Sequence, residues 1–213
     1  MVKTRLKIAI ILITFFTISV FSKNFEGTLS YIKECGNDTS YVYWFIKGNK
    51  VRIEEYNRFH EISSTVLVDI EKEISYQISP DQKLYTPYEQ NKIDLFADNN
   101  FQITKSNNYK IINGTKCYQW RVRNQAKNTE ITYWVTRDSF SIYNKTILSL
   151  NKTDNSICFF KKIPEYQGYL PLLCEERTLL RDTRSKKSLI KITKKEVSNS
   201  LFVIPSDYKL LIL

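Results

Sequence analysis

Apolar and polar residues alternate with a period of two through most of the chain. That spacing sends successive side chains to opposite faces of an extended strand. Phe25, Leu29 and Tyr31 share one face, with Thr28 and Ser30 on the other. Val51 and Ile53 alternate with Arg52 and Glu54. Val66, Val68 and Ile70 form the next strand, and Ile74, Tyr76 and Ile78 another, closed by Pro80-Asp81 and followed by a return over 83–86. Strands are predicted again over 101–105 and 109–112. Tyr118, Trp120 and Val122 then face away from Gln119, Arg121 and Arg123, and Ile131, Tyr133 and Val135 away from Thr132, Trp134 and Thr136. Residues 157–161, 169–180 and 189–197 read as further strands, and 202–204 as a short terminal one; 139–150 suits helix or strand.

Two turns are marked by residues that tolerate positive φ, Gly48-Asn49 and Asn113-Gly114, each between two strand patterns. One helix start stands out. In Thr86-Pro87-Tyr88-Glu89 the Thr can cap, the Pro suits the first turn, and the Glu completes a capping box. Tyr88, Leu95 and Phe96 would form its buried stripe.

About a dozen strands with short connections and one clear helix predict a β-rich α+β fold. The expected form is a single curved antiparallel sheet, a half-barrel, with one or few helices on its concave side. No repeat period or linker divides it. Along 41–47 the aromatic and aliphatic residues occupy both faces, as expected of a strand buried on both sides or lining a cavity. A half-barrel must fill its hollow with its own helices or with a ligand. Val66, Val68, Ile74, Tyr76, Trp120 and Tyr133 are the candidates for an apolar ligand surface, and a register slip of one residue would invert any of them.

The first 22 residues change where this fold is expected to work. Lys3, Arg5 and Lys7 precede an apolar stretch over 8–21, and Val20 and Ser22 suit cleavage before Lys23. The stretch is shorter than the roughly 20 residues of a membrane span. A cleaved signal peptide, 1–22, is therefore expected, with one half-barrel domain over 23–213. The three basic residues leave with the signal, so the charge of the remaining 191 residues falls from +10 to +7. No Cys lies near the cleavage point, so the expected location is periplasmic or secreted without a lipid anchor. Composition is that of a globular chain, with 42% hydrophobic and 25% charged residues, and an aromatic share of 14% is high.

Export makes the four cysteines candidates for disulfides. Cys158 and Cys174 flank a connection through Pro164 and Gly168 and are the favoured pair; four unpaired core thiols are the alternative. The cysteines are not clustered and His60 is the one histidine, so no metal site or cofactor is expected. No nucleophile elbow, phosphate loop or dinucleotide fingerprint occurs. Glu54-Glu55 and Glu175-Glu176 are strand neighbours that point apart, so neither makes a convergent carboxylate pair. A denser feature is the basic run Arg177, Arg181, Arg184, Lys186, Lys187, Lys191, Lys194 and Lys195. It reads as a solvated strand face or as a surface for anionic membrane. Export argues against nucleic acid as its partner.

The order of several segments resembles a known family. These are Phe25-Glu-Gly-Thr-Leu-Ser-Tyr31, Tyr43-Trp-Phe-Ile-Lys-Gly-Asn-Lys-Val-Arg-Ile53, Val68-Asp-Ile70 with Ile74-Ser-Tyr76, and Ile78-Ser-Pro-Asp-Gln-Lys-Leu-Tyr85. Ile112-Asn-Gly-Thr-Lys-Cys117 and Phe202-Val-Ile-Pro-Ser-Asp-Tyr208 follow. Together they are similar to an uncharacterised family of exported bacterial domains, itself similar to lipoprotein carriers of the LolA and LolB type. The resemblance implies a curved antiparallel sheet around helices with an apolar concave cavity, which in the carriers takes acyl chains. It transfers no catalytic residues. The expected function is a non-enzymatic exported protein binding a hydrophobic or amphiphilic ligand. A self-filled interaction protein docking an envelope partner is the alternative, and an exported hydrolase the third.

Overall fold

The computed structural model describes residues 25–87, 100–137, 141–150 and 154–212. The expected signal segment, 1–22, lies outside them. The strands are β1 (Glu26–Cys35), β2 (Asp38–Lys47), β3 (Lys50–Tyr56), β4 (Ile62–Asp69), β5 (Ile74–Ser79) and β6 (Leu84–Pro87). Next come β7 (Phe101–Ile112), β8 (Thr115–Asn124) and β9 (Thr129–Arg137), then helices α1 (Ser141–Ser149) and α2 (Asn155–Phe160). The chain continues through β10 (Tyr169–Arg177), β11 (Thr183–Lys194), a 3-10 turn (Asn199–Phe202) and β12 (Lys209–Leu210). All twelve strands form one open, curved sheet in the order β12-β6-β5-β4-β3-β2-β1-β11-β10-β9-β8-β7.

The two meanders, β1–β6 and β7–β11, are joined where β1 pairs with β11. Each strand-to-strand ladder is antiparallel except that of β12, which runs parallel to β6. Both marked turns form. Gly48 has φ 58°, and Asn113 and Gly114 have φ 50° and 75°, the double positive φ of a tight hairpin. Register shifts at Ser30/Tyr31, Glu55/Tyr56 and Lys105/Tyr109 insert irregularities that bend their strands. At Gly27 the β11 backbone comes so close that an added Cβ would fall on the Thr193 carbonyl oxygen.

Two expectations change in the structure, and a third is left outside it. Residues 157–161, read as a strand, lie largely in α2. Asp154 caps that helix by accepting a hydrogen bond from Ser156 N at 2.9 Å. A run as short as Ile157–Phe160 carries too few residues for periodicity to separate the two states. Thr86 and Pro87 end β6; the expected helix with its stripe of Tyr88, Leu95 and Phe96 falls on residues 88–99, which lie outside the described ones. Phe202 closes the 3-10 turn instead of starting a strand, because Ser198 caps that turn by accepting from Ser200 N.

Both helices pack on one face of the sheet, the inner face. Trp44 of β2 stacks on Tyr143 of α1 at 5.3 Å, and Trp120 of β8 on Phe160 of α2 at 6.4 Å. The opposite, outer face is crossed on one side by the C-terminal segment. Val197 N donates to Glu26, and Lys47 Nζ to Val197 O at 2.8 Å. Arg52 reaches Leu201 O at 3.2 Å, and the backbone of Lys209 bonds to Lys83 O. The segment thus runs over β2 and β3 to reach the free side of β6.

Candidate functional site

The inner face is where an apolar ligand was expected. Cross-strand pairs place Trp120 beside Tyr133, Tyr133 beside Cys174, and Ile53 beside Val66. Val66, Val68, Trp120 and Tyr133 lie on this wall as expected, and each is at most 7% exposed. Ile74 and Tyr76 do not. Ser75 and Gln77 pair with Val68 and Val66 and share their face, which turns Ile74 and Tyr76 outward. There Tyr76 meets Tyr85 edge-on at 5.4 Å. β5 has apolar residues at alternating positions like its neighbours, but its apolar row faces outward, so alternation alone assigned the wrong side.

The wall is covered by side chains that lie between β9 and β10 in the chain. Phe160 packs against Tyr133 at 5.2 Å, Tyr143 at 6.2 Å and Tyr166 at 5.5 Å, and is itself fully buried. Phe159 meets Phe101 of β7 edge-on at 5.0 Å. Ile147, Ile157 and Ile163 complete this plug. Among the hydrogen bonds that pin it, Tyr133 hydroxyl donates to Ser156 O at 2.8 Å, and Ser75 hydroxyl to Ser149 O at 3.2 Å. The plug is not legible in the sequence, because the apolar spacing of 139–150 suits helix and strand alike and Ile157–Phe160 is too short to show a helical period.

An ion pair anchors α2 to the wall. Lys187 of β11 donates to Asp154 at 3.1 Å, and Ser156 hydroxyl donates to the other carboxylate oxygen at 2.6 Å. Burial works to raise the Asp154 pKa, but Lys187 and the Ser156 hydroxyl outweigh it and hold the carboxyl at about 2. Burial works to lower the Lys187 pKa, and Asp154 reverses that too, so the ammonium is held above its ordinary value. Beside the pair, burial pushes the Cys174 thiol up to about 12. Neither Cys158 nor Cys174 is disulfide-bonded, and the expected bridge is absent. Cys174 faces the wall between Tyr133 and Lys187, whereas Cys158 belongs to the capped turn of α2. Two polar atoms in this interface, the Tyr31 hydroxyl and Asn144 Oδ1, are buried with no hydrogen-bond partner among the described residues.

The basic run does not form one surface. Lys187 is drawn inward, Lys186 pairs with Glu34 at 3.1 Å, and Arg184 bonds Thr129 at 2.6 Å with Glu176 at 3.9 Å. Lys191 pairs with Ser30 and Lys194 with Gly27, positions of opposite facing, and Lys195 follows beyond β11. Strand alternation splits any linear cluster in this way. Arg177 and Arg181, by contrast, line an outer-face cleft with Arg121 and Arg123. The last two lay in plain view in the β8 alternation, but nothing in the linear sequence ties them to residue 177.

The carboxylate pairs diverge as expected. Glu54 accepts from Arg52 Nε at 2.6 Å and from Tyr56 hydroxyl at 2.7 Å, while Glu55 accepts from Ser40 at 2.8 Å on the other face. Burial and the Glu54 carboxylate push the Tyr56 phenol up to about 12. His60 is exposed and stacks on Tyr41 at 4.7 Å. Among the described residues no group of three or more His, Cys, Asp or Glu is placed to hold a metal. No helix among them is long and apolar enough to cross a membrane.

Comparison with solved structures agrees with this architecture. An uncharacterized conserved protein from Thermus thermophilus superposes with a TM-score of 0.52 at 7% identity, covering 87% of this chain and 89% of that one. MucB gives 0.44 at 7% identity over 87% of this chain and 58% of its own. An outer membrane lipoprotein-sorting protein domain from Vibrio parahaemolyticus gives 0.30 at 6% identity, over 83% and 87%. Only the first score is high enough to support a shared fold, and at 7% identity it supports the fold alone. No curated protein matches the chain in sequence. The family described as "Domain of unknown function (DUF4412)" matches residues 25–208, and the chain belongs to that family.

Proposed function

We propose that this is an exported, non-enzymatic protein of the cell envelope whose half-barrel is closed by its own plug and which acts through its outer surface. One observation carries this reading. The apolar wall of the hollow, Trp44, Trp120 and Tyr133, is occupied by Tyr143, Phe160 and Tyr166 of the same chain. A wall already buried to this degree gains little from a ligand unless the plug leaves. Fluorescent fatty acid titrated into the purified protein is expected to show no saturable rise in emission. Native mass spectrometry of protein from its own host is expected to show the bare chain.

A second reading has its own support. The Tyr31 hydroxyl and Asn144 Oδ1 are orphaned at the interface of wall and plug. Each such atom costs about 1–3 kcal/mol, and a displaced plug would release both. In that reading the plug lifts and an amphiphile enters, its polar end meeting these atoms. A stoichiometric lipid adduct that Trp120→Asp abolishes would establish it and overturn the first.

A further inference from the structure

Positive charge on the outer face is concentrated where β8, β9 and β10 meet the turn that follows β10. β8, β9 and β10 run side by side, and their register aligns Arg123, Glu130 and Arg177 in one row. The next row holds Arg121, Thr132 and Glu175. Above them the turn from β10 to β11 folds over, adding Thr178, Leu179 and Arg181. The result is a cleft of about 340 Å³ lined by four guanidiniums and one carboxylate, Glu130. Arg177 meets Glu175 at 3.6 Å. Among the described residues Arg121, Arg123 and Arg181 have no carboxylate within ion-pair distance.

The turn is built to hold Arg181 in place. Thr178 N donates to Asp182 O and Arg181 N to Thr178 O, both at 2.9 Å. Leu179 N donates to Asn128 Oδ1 of the β8–β9 turn at 3.2 Å, tying the two loops together. Arg181 itself sits at φ 76°, a conformation that side-chain-bearing residues rarely adopt. At the tip of the turn Leu180 is 83% exposed. An arginine cluster in which Arg121, Arg123 and Arg181 have no carboxylate partner among the described residues, beside a projecting leucine, has amphiphilic character. Guanidiniums match phosphate oxygens by paired hydrogen bonds, and an apolar tip enters the boundary between headgroups and acyl chains. A free soluble phosphate would use the arginines and leave Leu180 without a role.

We propose that this outer-face cleft binds the phosphate of an anionic lipid headgroup, with Leu180 entering the membrane interface. The site is separate from the plugged hollow and stands whether or not that hollow takes a ligand. The test is co-sedimentation of the purified full chain with vesicles of phosphatidylglycerol and of phosphatidylcholine. The neutral vesicles read any contribution of the apolar N-terminus. Binding to phosphatidylglycerol is expected to exceed that to phosphatidylcholine. It should fall about ten- to thirty-fold in Arg121→Gln/Arg123→Gln, two interfacial charges being lost. It should also fall in Leu180→Ser. Circular dichroism melts matching the wild type keep these losses from being unfolding. A Lys191→Gln/Lys194→Gln variant loses the same charge elsewhere and is expected to retain binding. An equal loss there, or equal binding to both vesicle types, would show diffuse attraction only and overturn the site. Saturable binding of inorganic phosphate with no effect of Leu180→Ser would also overturn the lipid assignment, in favour of a soluble anion.

Discussion

The outer face of the sheet behaves differently in its two halves. Over β3–β5 its outward residues include Thr65, Leu67 and Ile78, all at most 7% exposed. That side is crossed by the C-terminal segment, and Glu54 is buried there between Arg52 and Tyr56. Over β8–β10 the outward residues include Arg121, Arg123 and Arg177, all exposed, and no described segment buries them. Burying an aliphatic side chain contributes about 1.5–3 kcal/mol, whereas burying an unpaired guanidinium costs several. Outward apolar residues such as Leu67 and Ile78 are buried by the chain itself, and the polar row, exposed among the described residues, is accessible to a partner.

The largest effect is expected on the inner face, which serves as the reference for both outer halves. Phe160→Ala removes the centre of the plug and should destabilise by about 4 kcal/mol, lowering Tm by roughly 8–16 °C in a thermal melt. Asp154→Ala leaves the Lys187 ammonium without its partner and should cost about 3 kcal/mol in urea unfolding. In the covered outer half, Arg52→Met strips the buried Glu54 of its cation and should cost about 2 kcal/mol by the same measurement. In the open outer half, Arg121→Gln/Arg123→Gln should leave Tm unchanged, because solvent already surrounds both side chains. If the open half proves as sensitive as the covered half, the contrast between them fails.

Acid sharpens the inner reference further. The Asp154 pKa is lower in the folded chain than the roughly 3.9 of an unfolded Asp. The folded state therefore gains from this group above about pH 4, and the gain is lost as pH falls toward about 2. Urea midpoints measured across that window should fall less steeply in Asp154→Asn than in the wild type, since the variant has no carboxyl to protonate.

Strand existence was largely legible, because period-two alternation reports one buried face directly. The hairpins at Gly48-Asn49 and Asn113-Gly114 formed because their conformations are local. Facing was not always legible. Val66 and Ile74 carry the same kind of pattern, and only pairing with Ser75 and Gln77 shows that β5 turns its apolar row outward. The plug was hidden for a related reason. Ile157, Phe159 and Phe160 suit a strand or a helix equally, and the Asp154 cap that settles the matter draws its strength from Lys187, 33 residues away.

Local sequence sets the material of this protein: a chain of alternating strands, two specified hairpins, an aromatic-rich core and a surplus of positive charge. These are properties of neighbours in the chain. Which face each strand shows, the filling of the hollow by residues between β9 and β10, and the splitting of the basic run arise in the folded sheet. It also brought Arg121 and Arg123 together with Arg177 and Arg181. Those outcomes depend on register between strands far apart in the chain, and register is chosen by the packing of the whole sheet.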